Sequence, residues 1–221
     1  TASGIGYSAG DVVSSNDENN HGSHVAGVIG ASVDSTGVAG MNKAVTMIPC
    51  RFLSASGSGH MSDAILCLNY CVAQGAQISN NSWGGLGFSL AFLDALRAAG
   101  RAGHLFIAAA GNSAVDSDTS PLYPAAYDEP NVISVAAIDY DNNLAPFSNY
   151  GARSVDIGAP GVNIYSTLKS GWGYMSGTSM AAPHVAGAAA LLMAADPSAG
   201  LKYVRSALLN GATKTDSLIG K

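Results

Sequence analysis

The 221 residues predict an α/β chain, a three-layer sandwich in which a mostly parallel central sheet carries helices on both faces. Three observations lead there. Short apolar segments alternate along the chain with longer ones whose apolar residues recur at helical spacing. The segments read as strands tend to end in small or polar residues, as in Ser82-Trp83-Gly84 and Gly111-Asn112, which suits carboxyl-terminal strand ends facing a ligand. A hydrophobic content of 48% over this length supplies one substantial core, so a single domain spanning 1–221 is expected.

Taken in order, residues 1–20 are polar and turn-rich and close on an acidic, amide-rich run, so a surface loop leading into a helix is expected. Gly6-Tyr7-Ser8-Ala9-Gly10 matches the G-x-S-x-G elbow of α/β-hydrolases. That motif needs a strand before the serine and a helix after it, and only five residues precede it here. His21 to Ile29, small and apolar, reads as a helix with His21 at its head, where a side chain can face a cleft. His24, one turn further in, is better explained by packing.

Ala44 to Leu53 reads as a strand, and Met61 to Val72 as a helix with Met61, Ile65, Leu68 and Val72 on one face. Gln77 to Asn81 is a short strand, followed by a helix over about 89–102. His104 to Ala110 and Val132 to Ile138 are apolar strands, and Val155 to Ile157 is a short one. The stretch from Tyr174 to Ala194 reads as a core helix with small residues on all sides and apolar Ala181, Val185, Ala188 and Leu192 at helical spacing. Ser176 and Thr178 are of cap type there. An amphipathic helix over Leu201 to Leu209 ends the series.

Net charge is −5, with cationic residues scattered singly, so neither nucleic acid nor an anionic membrane surface is an expected partner. The longest apolar run, Val185 to Ala195, falls short of the ~20 residues that span a bilayer. No charged n-region followed by an apolar h-region begins the sequence, so no signal peptide is read in it. Cys50, Cys67 and Cys71 cannot all pair with one another and have no CxxC spacing, so buried free thiols are expected.

Chemistry centres on Ser179. Gly177 lets the chain turn tightly into the core helix, and the free N–H groups of the first turn lie beside the serine hydroxyl, where an oxyanion can form. Together with HGSHVAGVIG at 21–30, NNSWGG at 80–85 and AAAGN at 108–112, the block SGTSMAAPHVAGAAAL at 176–191 resembles the signature blocks of the subtilisin-like serine peptidases, the subtilases. The resemblance runs from about residue 17 to 210.

It implies a serine endopeptidase acting on polypeptides, with Ser179 as nucleophile, His21 as general base and Asn112 as oxyanion donor. It also implies two backbone rails for an extended substrate, Ser82-Trp83-Gly84 and Ala109-Ala110-Gly111, with Leu122 near the floor of the first pocket. A secreted monomer, with a prodomain or peptide inhibitor as further partner, follows by the same likeness. No cofactor is required for chemistry, although the resemblance suggests a structural calcium ion at Asp34 within Ser32 to Val38. No metal-ligand set is assigned.

One element departs from the family pattern. The strand ending in an Asp that subtilases carry ahead of the His block has no counterpart before His21, where Asp11 and Asp17 read as solvated loop residues. The triad Asp is therefore expected outside this sequence, in a chain truncated at both ends. The alternatives are a catalytically impaired peptide-binding module and, least favoured, a hydrolase acting through Ser8.

Overall fold

In the computed structural model, which describes residues 5–8, 11–12, 17–33, 36–85 and 87–221, two short strands come first, β1 (Ile5–Ser8) and β2 (Asp11–Val12), paired antiparallel. Helix α1 (His21–Gly30) follows, then β3 (Cys50–Arg51), which runs parallel to β1. Next are α2 (Met61–Ala73), β4 (Ile78–Asn81), α3 (Leu90–Arg101), β5 (Leu105–Ala109), β6 (Val132–Ile138) and β7 (Ile157–Pro160). Strands β8 (Ile164–Thr167) and β9 (Trp172–Met175) form an antiparallel pair. Helices α4 (Thr178–Ala195) and α5 (Leu201–Gly211) precede a final 3-10 turn, Asp216–Leu218.

Strands β4-β5-β6-β7 form one parallel sheet in sequence order. Successive residues of a strand point to opposite faces, so a strand covered on both sides is largely apolar. Every residue of β5 and β6 is buried accordingly. Leu105, Ile107 and Ala109 of β5 pack with Ile133, Val135 and Ala137 of β6 against α4, while Phe106 and Ala108 turn the other way, toward Phe92 and Leu96 of α3 and Leu68 of α2. The layers are thus helix, sheet and helix. The alanines of α4 let it lie close on the sheet, with Ala181, Ala182 and Ala189 fully buried. Helix α1 approaches β8 closely enough that a Cβ on Gly27 would strike the Ser166 and Thr167 hydroxyls and lie 2.9 Å from the Thr167 amide nitrogen.

Four expectations are corrected. Residues 44–53 are not a full strand; only Cys50 and Arg51 pair, and Pro49 just before them has no N–H to donate to a ladder. The expected N-terminal surface loop contains β1 and β2, and because β1 leads into an antiparallel strand, no helix follows Ser8 as a nucleophile elbow requires. The core helix begins at Thr178, since Trp172–Met175 is taken up by cross-strand bonding to β8, a partner that lies outside the 174–194 stretch. Finally, Cys50 and Cys67 form a disulfide between β3 and α2, their Cα atoms 5.8 Å apart, and Cys71 alone is free. A pairing of residues 17 apart depends on how β3 docks on α2, which spacing does not reveal. Asp34 lies outside the described residues, and so do Gly10 and the side chains of residues 5–8.

Candidate active site

The head of α4 is held by a strand tip. Gly177 precedes the helix without a side chain to cap it, leaving the first amides orphaned. Asn112, at the carboxyl side of β5, supplies the cap from across the fold: its Oδ1 accepts from the Thr178 amide at 2.8 Å and from the Thr178 hydroxyl at 3.0 Å. The Thr178 hydroxyl in turn accepts from the Gly111 amide at 3.1 Å. Ser176, a cap type by sequence, instead accepts from the Asn163 amide at 2.8 Å.

This lock fixes the other end of the Asn112 amide. With Oδ1 committed to Thr178, the Nδ2 group is the donor left over, and it faces Gly177. The position a Cβ would take on Gly177 is 3.5 Å from Asn112 Nδ2 and 3.7 Å from both Asn112 Oδ1 and the Ser179 amide nitrogen. The Asn112 amide and the Ser179 N–H thus lie close together around a residue without a side chain, at the positive end of a helix. Negative charge developing there is stabilised by both.

Ser179 is half-buried beside this space. Its carbonyl would ordinarily accept from the amide four residues on, but that residue is Pro183, which has no N–H. The Ser82 hydroxyl fills the vacancy, donating to the Ser179 carbonyl at 2.8 Å, and is itself held by Asn80 Nδ2 at 2.9 Å. The Ser179 hydroxyl donates to the Ser82 carbonyl at 3.4 Å. Ser82, expected only as a backbone rail, thus grips the serine from both its side chain and its main chain.

His21 is the first residue of α1, and its side chain shares a cleft of about 560 Å³ with Ser82, Trp83 and Gly84. The amides of the first turn are taken by the preceding polar run: Asn19 Oδ1 accepts from His21 N at 3.0 Å, and Asp17 Oδ2 accepts from Ser23 N at 2.6 Å. Burial pushes the His21 imidazole below its ordinary pKa, Asp17 pulls it partly back, and His24 lowers it further. At neutral pH the ring is uncharged and able to accept a proton. His24 is fully buried, with Nε2 bonded to the Ile164 carbonyl at 2.9 Å, tying α1 to β8.

The far wall of the cleft is Phe52, Leu53, Gly59, His60 and Met61. Sequence reasoning missed these residues; the run Ser54 to Gly59 of small residues, serine, alanine and glycine, before α2 was the available signal. Trp83 stands between cleft and core, edge-on to Phe52 at 5.0 Å and to Phe92 at 5.6 Å, so it both packs and lines. Ala109 and Ala110 are buried in the strand end rather than lining this cleft, and Gly111 is buried beside them. Leu122 lies between the two expected rails: its Cδ2 is 3.0 Å from the Cβ position of Gly84 and also meets that of Gly111. Among the described residues no cluster of three or more His, Cys, Asp or Glu is arranged to hold a metal ion.

Comparison with known proteins gives a consistent set of likenesses. Residues 6–220 match the model of the Subtilase family. Subtilisin-like protease 2 of Plasmodium falciparum is 42% identical over 181 residues, covering 80% of this chain and 14% of that protein. Subtilisin DY of Bacillus licheniformis is 40% identical, covering 89% and 72%, and Subtilisin Savinase of Lederbergia lenta is 42% identical, covering 92% and 74%. A crystal structure of a cold adapted subtilisin-like serine proteinase superposes with a TM-score of 0.86 at 34% identity, covering 99% of this chain and 78% of that one. The chain thus spans from about a seventh to about three quarters of these relatives.

Proposed function

The chain belongs to the subtilase family, and on that premise we propose that it is a serine endopeptidase whose nucleophile is Ser179 and whose general base is His21. The Ser179 hydroxyl attacks the peptide carbonyl carbon while His21 takes its proton. The carbonyl oxygen, now an oxyanion, is held by Asn112 Nδ2 and the Ser179 amide. Collapse breaks the C–N bond, His21 passes its proton to the leaving amine, and water then hydrolyses the acyl-enzyme by the same route. The strand-borne Asp that orients the base in this family is assigned to sequence outside these residues.

The observation that carries this reading is that Asn112 Oδ1 is spent on the Thr178 amide and hydroxyl, which turns its Nδ2 donor to service beside the Ser179 amide at the head of α4. Substrates are polypeptides bound extended along Ser82-Trp83-Gly84, with Leu122 and the Ala109-Ala110-Gly111 segment bounding an apolar first pocket. The disulfide supports an oxidising, extracellular compartment. A monomer without a catalytic cofactor, met by a prodomain or peptide inhibitor, completes the proposal.

A peptide-binding module is the second reading, favoured by one contact: the Ser179 hydroxyl bonds to the Ser82 carbonyl and not to His21. A fluorophosphonate probe separates the two. Stoichiometric labelling that disappears in Ser179→Ala supports the peptidase, whereas peptide binding without labelling supports the module.

A further inference from the structure

The acidic run ahead of α1 reads as solvated loop in the sequence, yet Asp17 is half-buried and engaged. Its Oδ2 accepts from Ser23 N at 2.6 Å and lies 3.6 Å from the Cβ position of Gly22, while its Oδ1 accepts from Asn19 N at 3.4 Å. The carboxylate is thereby pinned over the two residues that follow His21. Its neighbour Glu18 is drawn away to Arg51, at 3.0 Å. Asn20, in the left-handed conformation with φ 67°, closes the turn, and its Oδ1 accepts from the Lys169 amide at 2.9 Å. Two backbone amides therefore fix the Asp17 carboxylate over the first turn of α1, the turn that His21 heads.

We propose that Asp17 is a positioning residue for His21, a fixed negative charge that holds the first turn of α1 and favours the imidazolium formed when His21 takes the serine proton. It deepens the peptidase reading and rests on it. The physical case is one of balance. Burial alone makes His21 a poor proton acceptor, and the Coulombic pull of Asp17 opposes that loss. A base works best when its pKa sits near the working pH, so a charge that raises a depressed value increases the proton-accepting power of the ring. Because the carboxylate is already bonded to Ser23 N, it exerts this pull without rearrangement as the reaction proceeds.

Besides Asp17, His24 on α1 acts on the His21 ring; Glu18 is paired with Arg51, His60 lines the same cleft, and the elements packed against α1 carry His184 (α4), Tyr165 (β8) and, just after β8, Lys169. Asp17→Asn leaves each of these residues in place and removes one charge. The asparagine keeps an oxygen for Ser23 N, which separates electrostatics from capping.

The test is an NMR titration of the histidine rings in the full chain carrying Ser179→Ala, with His21 assigned by its loss in His21→Gln. In Asp17→Asn the acid dissociation constant of His21 is expected to rise on the order of threefold, with the His104 titration unmoved and the Ser23 amide still protected from exchange. An unchanged His21 titration in Asp17→Asn overturns the proposal and leaves Asp17 as a helix cap only. Asp17→Ala, which removes cap and charge together, is expected to move both signals. The titration is read whether or not Ser179 is ever acylated, so failure of probe labelling and failure of this inference are distinct results.

Discussion

Reducing the Cys50–Cys67 bond is expected to cost the fold about 3 kcal/mol and to loosen one wall of the cleft. The bridge closes a loop of 17 residues, for which the chain-entropy relation gives roughly 3 kcal/mol at 25 °C. In a chain of 221 residues each kcal/mol moves the melting midpoint by about 2–4 °C, so reduction lowers it by roughly 6–12 °C. The wall follows because Phe52 and Leu53 come directly after β3, while Met61 and Ala64 lie on α2, and all four line the cleft. The disulfide ties these two segments together. Circular dichroism melts of the same sample with and without a phosphine reductant measure the difference without creating a cavity. Alkylation in denaturant counts one thiol before reduction and three after. Cys71→Ser, at a half-buried thiol whose pKa burial raises, leaves the shift in place. Three thiols alkylated without reductant, or midpoints within about 2 °C, would refute the reasoning.

Three further outcomes follow from single contacts. Asn112→Asp keeps the oxygen that caps Thr178 but replaces the Nδ2 donor, so the melting midpoint should hold while kcat falls at least ~10²–10³-fold, a magnitude carried over from the equivalent donor in subtilisin itself; equal loss of both in a paired melt and ester assay counts against the oxyanion role. Burial holds the His21, His104 and His184 rings below their ordinary pKa, so the unfolded chain binds protons first. Stability is then full above about pH 6.5 and declines as pH drops below it, by up to ~1.4 kcal/mol per pH unit for each ring, and His104→Gln should flatten the slope measured by urea titration. Phe92→Ala empties a fully buried site in ring contact with Trp83, Phe106 and Tyr127, which should cost ~3–5 kcal/mol and shift Trp83 fluorescence through its lost edge contact; a loss under ~1 kcal/mol in denaturant melts would mean the aromatic cluster is not packed as described.

Legibility in the sequence divides by how local the cause is. Strands β5 and β6 and helices α2, α3 and α5 fall within a few residues of their sequence bounds, because apolar runs and helical periodicity are properties of neighbours. The β8–β9 pair escaped because β strands are defined by partners, and Trp172–Met175 alternates exposure without an apolar run. His60 and Phe52 escaped as cleft residues because nothing in their own segments points at Trp83.

By itself the sequence determined the α/β class, the family and the residue types on which the proposed chemistry rests: a serine after glycine at a helix head, a histidine at another, an asparagine at a strand end. Tertiary structure alone decided how those groups are oriented. Asn112 and Thr178 are 66 residues apart, and Ser82 and Ser179 are 97 apart. Where the Asn112 oxygen is spent, which leaves its nitrogen as the donor, and what replaces the amide that Pro183 lacks both depend on side-chain hydrogen bonds between segments. Such bonds form only once burial has fixed the segments in register, since each contributes ~1 kcal/mol and cannot by itself order the chain that carries it.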